Sequence, residues 1–150
     1  MNKLILLLSV LILVISCSKE TKYNNIPKIS FLDLSHNLVK AGGDTIIKIR
    51  FDFEDGDGNI GFGTDNLFLM DSRSGDTIPF RIPEIPEKFN PKNGLKGVIV
   101  VEYPAALLLL RTDTAHLKRD TLTWAMFMKD EAKNASNVIV STPLILVDSL

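Results

Sequence analysis

The chain has one cysteine, Cys17, and one tryptophan among its 150 residues. A single thiol closes no disulfide within a chain, so the core alone must hold the fold. Beyond position 17 there is also no thiolate for a zinc cluster and no cysteine nucleophile. Aromatic residues make up only 7%, which leaves few candidates for the stacking platforms that hold bases or sugars. Charge of one sign is lacking as well. Seventeen Lys and Arg stand against eighteen Asp and Glu, for a net charge of -1, so no overall field favours nucleic acid as a partner. No H-E-x-x-H or G-x-S-x-G motif occurs, and His36 and His116 have no second ligand at metal spacing, so both read as solvated loop residues. A chain of this length is enough for one domain with its own core.

Long hydrophobic runs are limited to one. Leu4 to Ile15 is apolar except for Ser9 and follows the positive Met1-Asn2-Lys3. About a dozen residues fall short of the roughly 20 needed to cross a bilayer, so the run reads as the hydrophobic part of a secretion signal. It ends in Val14-Ile15-Ser16-Cys17, which resembles the lipobox of bacterial lipoproteins. The resemblance implies that residues 1–16 are a cleaved signal peptide and that Cys17 is acylated to become the membrane anchor. Two or more acyl chains, each gaining about 0.8 kcal/mol per buried methylene, hold a protein on a membrane far better than one. Residues 17–26 then read as the lipidated cysteine and a flexible tether, of reach about 16 Å. Ser18 stands where an Asp would resemble an inner-membrane retention signal, so the expected address is the cell envelope, at the outer membrane.

From Lys28 onward apolar residues recur with period two, broken by turn residues at spacings that suit an antiparallel sandwich. The clearest strand is Asp44 to Glu54, with Ile47, Ile49, Phe51 and Phe53 on one face and Lys48, Arg50, Asp52 and Glu54 on the other. Further strands are expected from Ile29, over Leu67–Asp71, Thr77–Ile82, Gly97–Tyr103 and Leu122–Lys129, and over Val138–Ser141 with Leu144–Val147 around Pro143. Ser72-Arg73-Ser74-Gly75 suits a hairpin turn. Trp124, Met126 and Met128 alternate toward the core. Ala105 to Leu110 fits a strand buried on both faces or a turn of helix, and periodicity does not choose. Residues 83–94, with three prolines, read as an extended connection. The fold class is therefore all-β, a sandwich of about seven strands over residues 27–150.

Two loops carry a second resemblance. Phe51 to Gly63 contains Glu-Asp-Gly-Asp-Gly-Asn-Ile-Gly, and Lys129 onward reads Lys-Asp-Glu-Ala-Lys-Asn-Ala-Ser-Asn before an apolar strand. Together they resemble a family of small bacterial envelope lipoproteins of unknown function, in which a DGDGxIG turn and a D-x-A-G-N-x-S-N loop recur. The resemblance implies an immunoglobulin-like sandwich. Lys133 departs from it where glycine is usual, and Asn59 where aspartate is often found. Asn134-Ala135-Ser136 also matches a glycosylation sequon, incidental in a bacterial protein.

Read from the residues, Asp55, Asp57 and Asn59 alternate along a glycine-rich turn, a pattern that aims several hard oxygens at one point as calcium requires. An EF-hand is excluded, because Ile60 and Asn66 stand where its glycine and glutamate belong. If Asp44–Glu54 and Leu122–Lys129 are the B and F strands, their following loops share one end of the sandwich, and Asp130 approaches Asp57. The expected metal set is Asp55, Asp57, Asn59 and Asp130, with calcium as the ion. The simpler reading, which the residues alone favour over calcium, is that these side chains cap tight turns and the glycines supply positive φ.

The sequence thus points to a membrane-anchored, non-enzymatic binding or structural module that requires no cofactor, with calcium as the candidate stabilising ion. Its expected partners are the membrane, through the N-terminal lipid, and an unidentified envelope protein or glycan. Two rivals stand beside it. A glycan-binding role requires Tyr103, Phe127 or Phe62 clustered on the surface, and a carboxylate hydrolase requires Asp55, Asp57 and Asp130 in a deep cleft with raised pKa values.

Overall fold

A computed structural model describes residues 23–89, 94–113 and 115–149. The signal segment, the lipobox and Cys17 lie outside the described residues. Ten strand segments and three single 3-10 turns make up the regular structure: β1 (Lys28–Leu34), β2 (Leu38–Lys40), β3 (Ile46–Asp55), β4 (Asp65–Asp71), β5 (Thr77–Arg81), β6 (Leu95–Pro104), β7 (Arg119–Leu122), β8 (Trp124–Met128), β9 (Ile139–Val140) and β10 (Leu144–Val147). Among the described residues no helix is long and apolar enough to cross a membrane.

The strands form three sheets, ordered β1-β3-β6, β5-β4-β8-β9 and β2-β10-β7. The last two join. Only Thr123 separates β7 from β8, and Ser141 bridges the break between β9 and β10: its amide donates to Trp124 O and its hydroxyl accepts from the Trp124 amide, both at 2.9 Å. Segments β1 and β2 divide one path between two sheets, β1 antiparallel to β3 and β2 parallel to β10. Counting each interrupted path once gives the seven strands of an immunoglobulin-like sandwich, with β3 in the B position, β4 and β5 as C and C′, β6 as E, β7–β8 as F and β9–β10 as G.

Alternation explains why the sheets face each other. In β3, Ile47, Ile49, Phe51 and Phe53 are buried while Ile46, Lys48 and Arg50 are exposed. Across the sandwich they meet Leu67, Leu69, Trp124, Met126 and Met128 in one core, where each large apolar side chain contributes about 1.5–3 kcal/mol. Tyr103 of β6 reaches over to Trp124 of β8, ring centroids 5.4 Å apart.

Of the two alternatives left open for Ala105–Leu110, the turn of helix holds: Ala105–Leu107 makes one 3-10 turn, Ala105 and Leu108 are buried, and Leu107 and Leu109 face outward. Three sequence expectations change. The expected strand around Pro143 is cut in two, because proline cannot donate to the ladder. Strands β2 and β7 escape periodicity, the first because it has three residues, the second because its inward residues are Asp120 and Leu122. The tether does not run free to Ile26. Gly56 N–H donates to Asn24 O at 2.7 Å, and a Cβ on Gly94 would meet the Tyr23 ring at 2.8 Å, so residues from Tyr23 onward lie on the domain.

Candidate metal centre

Strand β3 ends at Asp55 and β8 ends one residue before Lys129-Asp130, and the two following loops meet at the same end of the sandwich. Glu131 N–H donates to Asn59 O at 3.2 Å, joining the loops directly. Asn66, buried at the start of β4, staples them a second time. Its amide nitrogen donates to Ile60 O and, at 3.3 Å, to Lys129 O, while its oxygen accepts from Ile82 N–H at 3.0 Å. The sequence offered no signal for this role beyond an asparagine in an otherwise apolar strand.

These staples bring Asp55, Asp57 and Asp130 together, with one carboxylate oxygen from each lying within 4.8 Å of the others. Asp55 and Asp130 are buried and Asp57 is exposed. Turn capping does occur here. Asp55 Oδ2 accepts from Asn59 N–H at 3.0 Å, and Asp130 accepts from both the backbone and the side-chain amide of Asn134 at 2.7 Å. Capping leaves a remainder, however: Asp55 Oδ1 and Asn59 Oδ1 are both buried without a hydrogen-bond donor. A buried acceptor without a partner loses about 1–3 kcal/mol, and more if charged. Among the described residues no lysine or arginine forms an ion pair with any of the three carboxylates.

The electrostatics follow from this crowding. Burial, then the neighbouring charge of Asp57, pushes the Asp55 carboxyl up to about 7, against the opposing pull of the Asn59 amide. A divalent cation would supply the missing positive charge and the missing partner at once. The donors are all hard oxygens, three carboxylates and one amide on irregular loops, which suits calcium better than zinc or a soft metal. Three of the four residues singled out from the sequence, Asp55, Asp57 and Asp130, sit at one place, and Asn59 adjoins them through its backbone amide on Asp55.

Lys133, where the resembled pattern has glycine, has φ 69°, in the left-handed region, and Gly58 has φ 70°. The loop keeps the glycine conformation without the glycine. His36 and His116 are exposed, and Trp124, Met126 and Met128 are fully buried. Of the aromatics a glycan platform was expected to use, Tyr103 is buried and Phe62 is half-buried, while Phe127 is half-buried and stacked on Phe68, ring centroids 5.0 Å apart, on the outer face of its sheet.

The opposite end of the sandwich handles buried carboxylates differently. Asp71, Arg73 and Asp120 form a clamp in which Arg73 pairs with Asp71 at 2.7 Å and with Asp120 at 3.1 Å, and also donates to Leu109 O at 2.9 Å. Burial works against the Asp120 charge, but hydrogen bonds from the Thr121 amide and Arg73 outweigh it and hold the carboxyl below its usual range. No protein family, curated protein or solved structure matches the chain.

Proposed function

We propose that the chain is a lipid-anchored module of the cell envelope, outer-membrane directed, whose immunoglobulin-like domain binds calcium at the end from which the tether leaves and acts by binding, not by catalysis. The observation that carries the calcium reading is the pair of buried, unpartnered oxygens, Asp55 Oδ1 and Asn59 Oδ1, beside two further carboxylates. Asp55, Asp57, Asn59 and Asp130 would hold the ion, which would tie the β3–β4 loop to the β8–β9 loop. The hydrolase reading loses ground because Asp55, among the described residues the one carboxyl raised toward neutrality, is fully buried and beyond reach of a polymeric substrate.

Two measurements test the two halves separately. Isothermal titration of the full chain with calcium is expected to give saturable heat that disappears in Asp55→Asn; no heat with the unaltered chain refutes the metal. Metabolic labelling with palmitate is expected to mark the chain and to be lost in Cys17→Ser; unchanged labelling refutes the anchor.

A further inference from the structure

Among the described residues strand β6 is the longest edge strand. It pairs with β3 along its whole length and forms the border of its sheet, with no strand on its other side among the described residues. The Ala105 amide donates to Thr45 O at 2.8 Å, which fixes the alternation. Odd-numbered residues of β6 point their N–H and C=O toward β3, and Lys96, Val98, Val100 and Glu102 point theirs outward. The same four side chains form the solvent face, where Val98 is 53% and Val100 49% exposed. Alongside runs an open cleft of about 320 Å³ lined by Leu67, Phe80, Ile82, Val98 and Val101, so the opposing sheet does not cover this edge.

The outward residues read Lys96, Val98, Val100, Glu102, which is complementary to itself when reversed. An antiparallel pairing of two copies centred on Ile99 sets Lys96 opposite Glu102 of the second copy and Val98 opposite its Val100, with each of these pairs oriented to exchange both backbone hydrogen bonds. Shifting the centre to Val98 or Val100 keeps the hydrogen bonds but sets a charge against a valine. The rows extend inward through the β3 register, where Glu54 lies beside Lys96 and Lys48 lies beside Glu102, the latter pair 3.3 Å apart. One row across the joined sheet would then run Glu54, Lys96, Glu102, Lys48, alternating in sign. Natural sheets guard long edges against pairing with inward charges, bulges or short strands; β6 has a charge at each end and two bare valines between.

We infer that β6 is a homodimerisation edge, joining two copies into one continuous six-stranded sheet about a two-fold axis through Ile99. That axis is perpendicular to the sheet, so the two tether ends lie at opposite ends of the joined strands, and an axis along the membrane normal lets both anchors enter one leaflet.

Sedimentation equilibrium of the full chain in detergent is expected to show a dimer. Lys96→Glu is expected to weaken it about tenfold or more by setting like charges opposite each other at both ends of the pairing. The double variant Lys96→Glu with Glu102→Lys is expected to restore it. Both positions are exposed, so the like charges that the changes set beside Glu54 and Lys48 within each copy cost little and leave the fold intact. Under mild oxidation Ile99→Cys is expected to form a disulfide-linked dimer, because this position alone faces itself across the axis, while Val98→Cys is not. A monomer at every concentration, a dimer indifferent to Lys96→Glu, or preferential cross-linking at position 98 would each overturn the assignment, as would a monomer that takes up an unrelated extended peptide along β6.

Discussion

Removing a ligand should stabilise the metal-free domain. Oxygens of Asp55, Asp57 and Asp130 stand within 4.8 Å of one another. Two unit charges at that separation repel by about 3.5 kcal/mol at an effective dielectric of about 20 and by about 0.9 kcal/mol in water. Asp57 is exposed, so the lower figure governs its two repulsions, and Asp57→Asn should relieve about 1–2 kcal/mol once Asp55 is ionised at pH 8. For a domain of this size that is a rise of roughly 4–8 °C in melting temperature. Calcium should reverse the ranking. At one hundred times its dissociation constant a ligand adds about 2.7 kcal/mol, roughly 10 °C, to the unaltered chain, and little to a variant that has lost a carboxylate ligand. Thermal melts of both proteins, with calcium and with a chelator, read all four values. The reasoning fails if Asp57→Asn lowers the melting temperature in chelator, or if calcium raises both proteins equally.

Further outcomes follow from the same geometry. With calcium chelated, Asp55 is an acid whose folded value, about 7, lies above its unfolded value near 3.9. The folded state then holds a proton that the unfolded state has released, so stability falls as pH climbs from about 4 to 7 and levels off above. The difference in urea midpoint between the unaltered chain and Asp55→Asn, followed across that range, isolates this contribution. Arg73→Met leaves Asp71 buried without its counter-charge and Asp120 with Arg111 alone, 3.5 Å away, and should lower unfolding free energy by about 3 kcal/mol in urea titrations. Gly56→Ala drives a methyl into the Tyr23 carbonyl and should loosen Tyr23–Asn25, seen as faster hydrogen exchange at the Gly56 amide, at a stability loss of about 1–3 kcal/mol. Lys133→Gly should gain about 0.5–1 kcal/mol by removing a side chain from a left-handed backbone.

What could be read from sequence depended on whether one face of an element was buried cleanly. Ile47, Ile49, Phe51 and Phe53 alternate with charged residues, so β3 was legible to within two residues of its ends. The Ser72–Gly75 turn was legible for its chemistry, and β4 and β5 pair around it as expected. Strand β7 was not, because its inward Asp120 is buried by a counter-charge from Arg73, 47 residues away, and no local pattern encodes that partner. The four leucines at 107–110 misled for the opposite reason. They suggest burial throughout, yet Leu107 and Leu109 face solvent, since only Leu108 is drawn under the Gly42 turn, where its carbonyl accepts from Gly42 N–H at 2.8 Å. The proposed metal ligands were legible as oxygens at alternating positions of one loop, Asp55, Asp57 and Asn59, with Asp130 in a second. What makes them a site, the Asn66 staple and the two orphaned oxygens, is a matter of tertiary contact.

The two ends of the sandwich pose the same problem and solve it differently, which is the strongest reason to look for an ion. At one end two buried carboxylates, Asp71 and Asp120, flank a guanidinium whose side chain is only 10% exposed, and every charge has a partner of opposite sign. At the other end two buried carboxylates, Asp55 and Asp130, stand with a third at the surface, and the ion pairs of the described residues include none of them. A fold that only needed turns capped there had a neutral solution available: asparagine caps as well as aspartate, and Asn134 already serves the Asp130 loop. Keeping three acids within 4.8 Å is unfavourable for the empty domain, and a cation bound as proposed would offset that cost. The acid-rich end is also the end against which Tyr23 and Asn24 pack. A cation bound there as proposed would stiffen the point at which the N-terminal segment meets the domain.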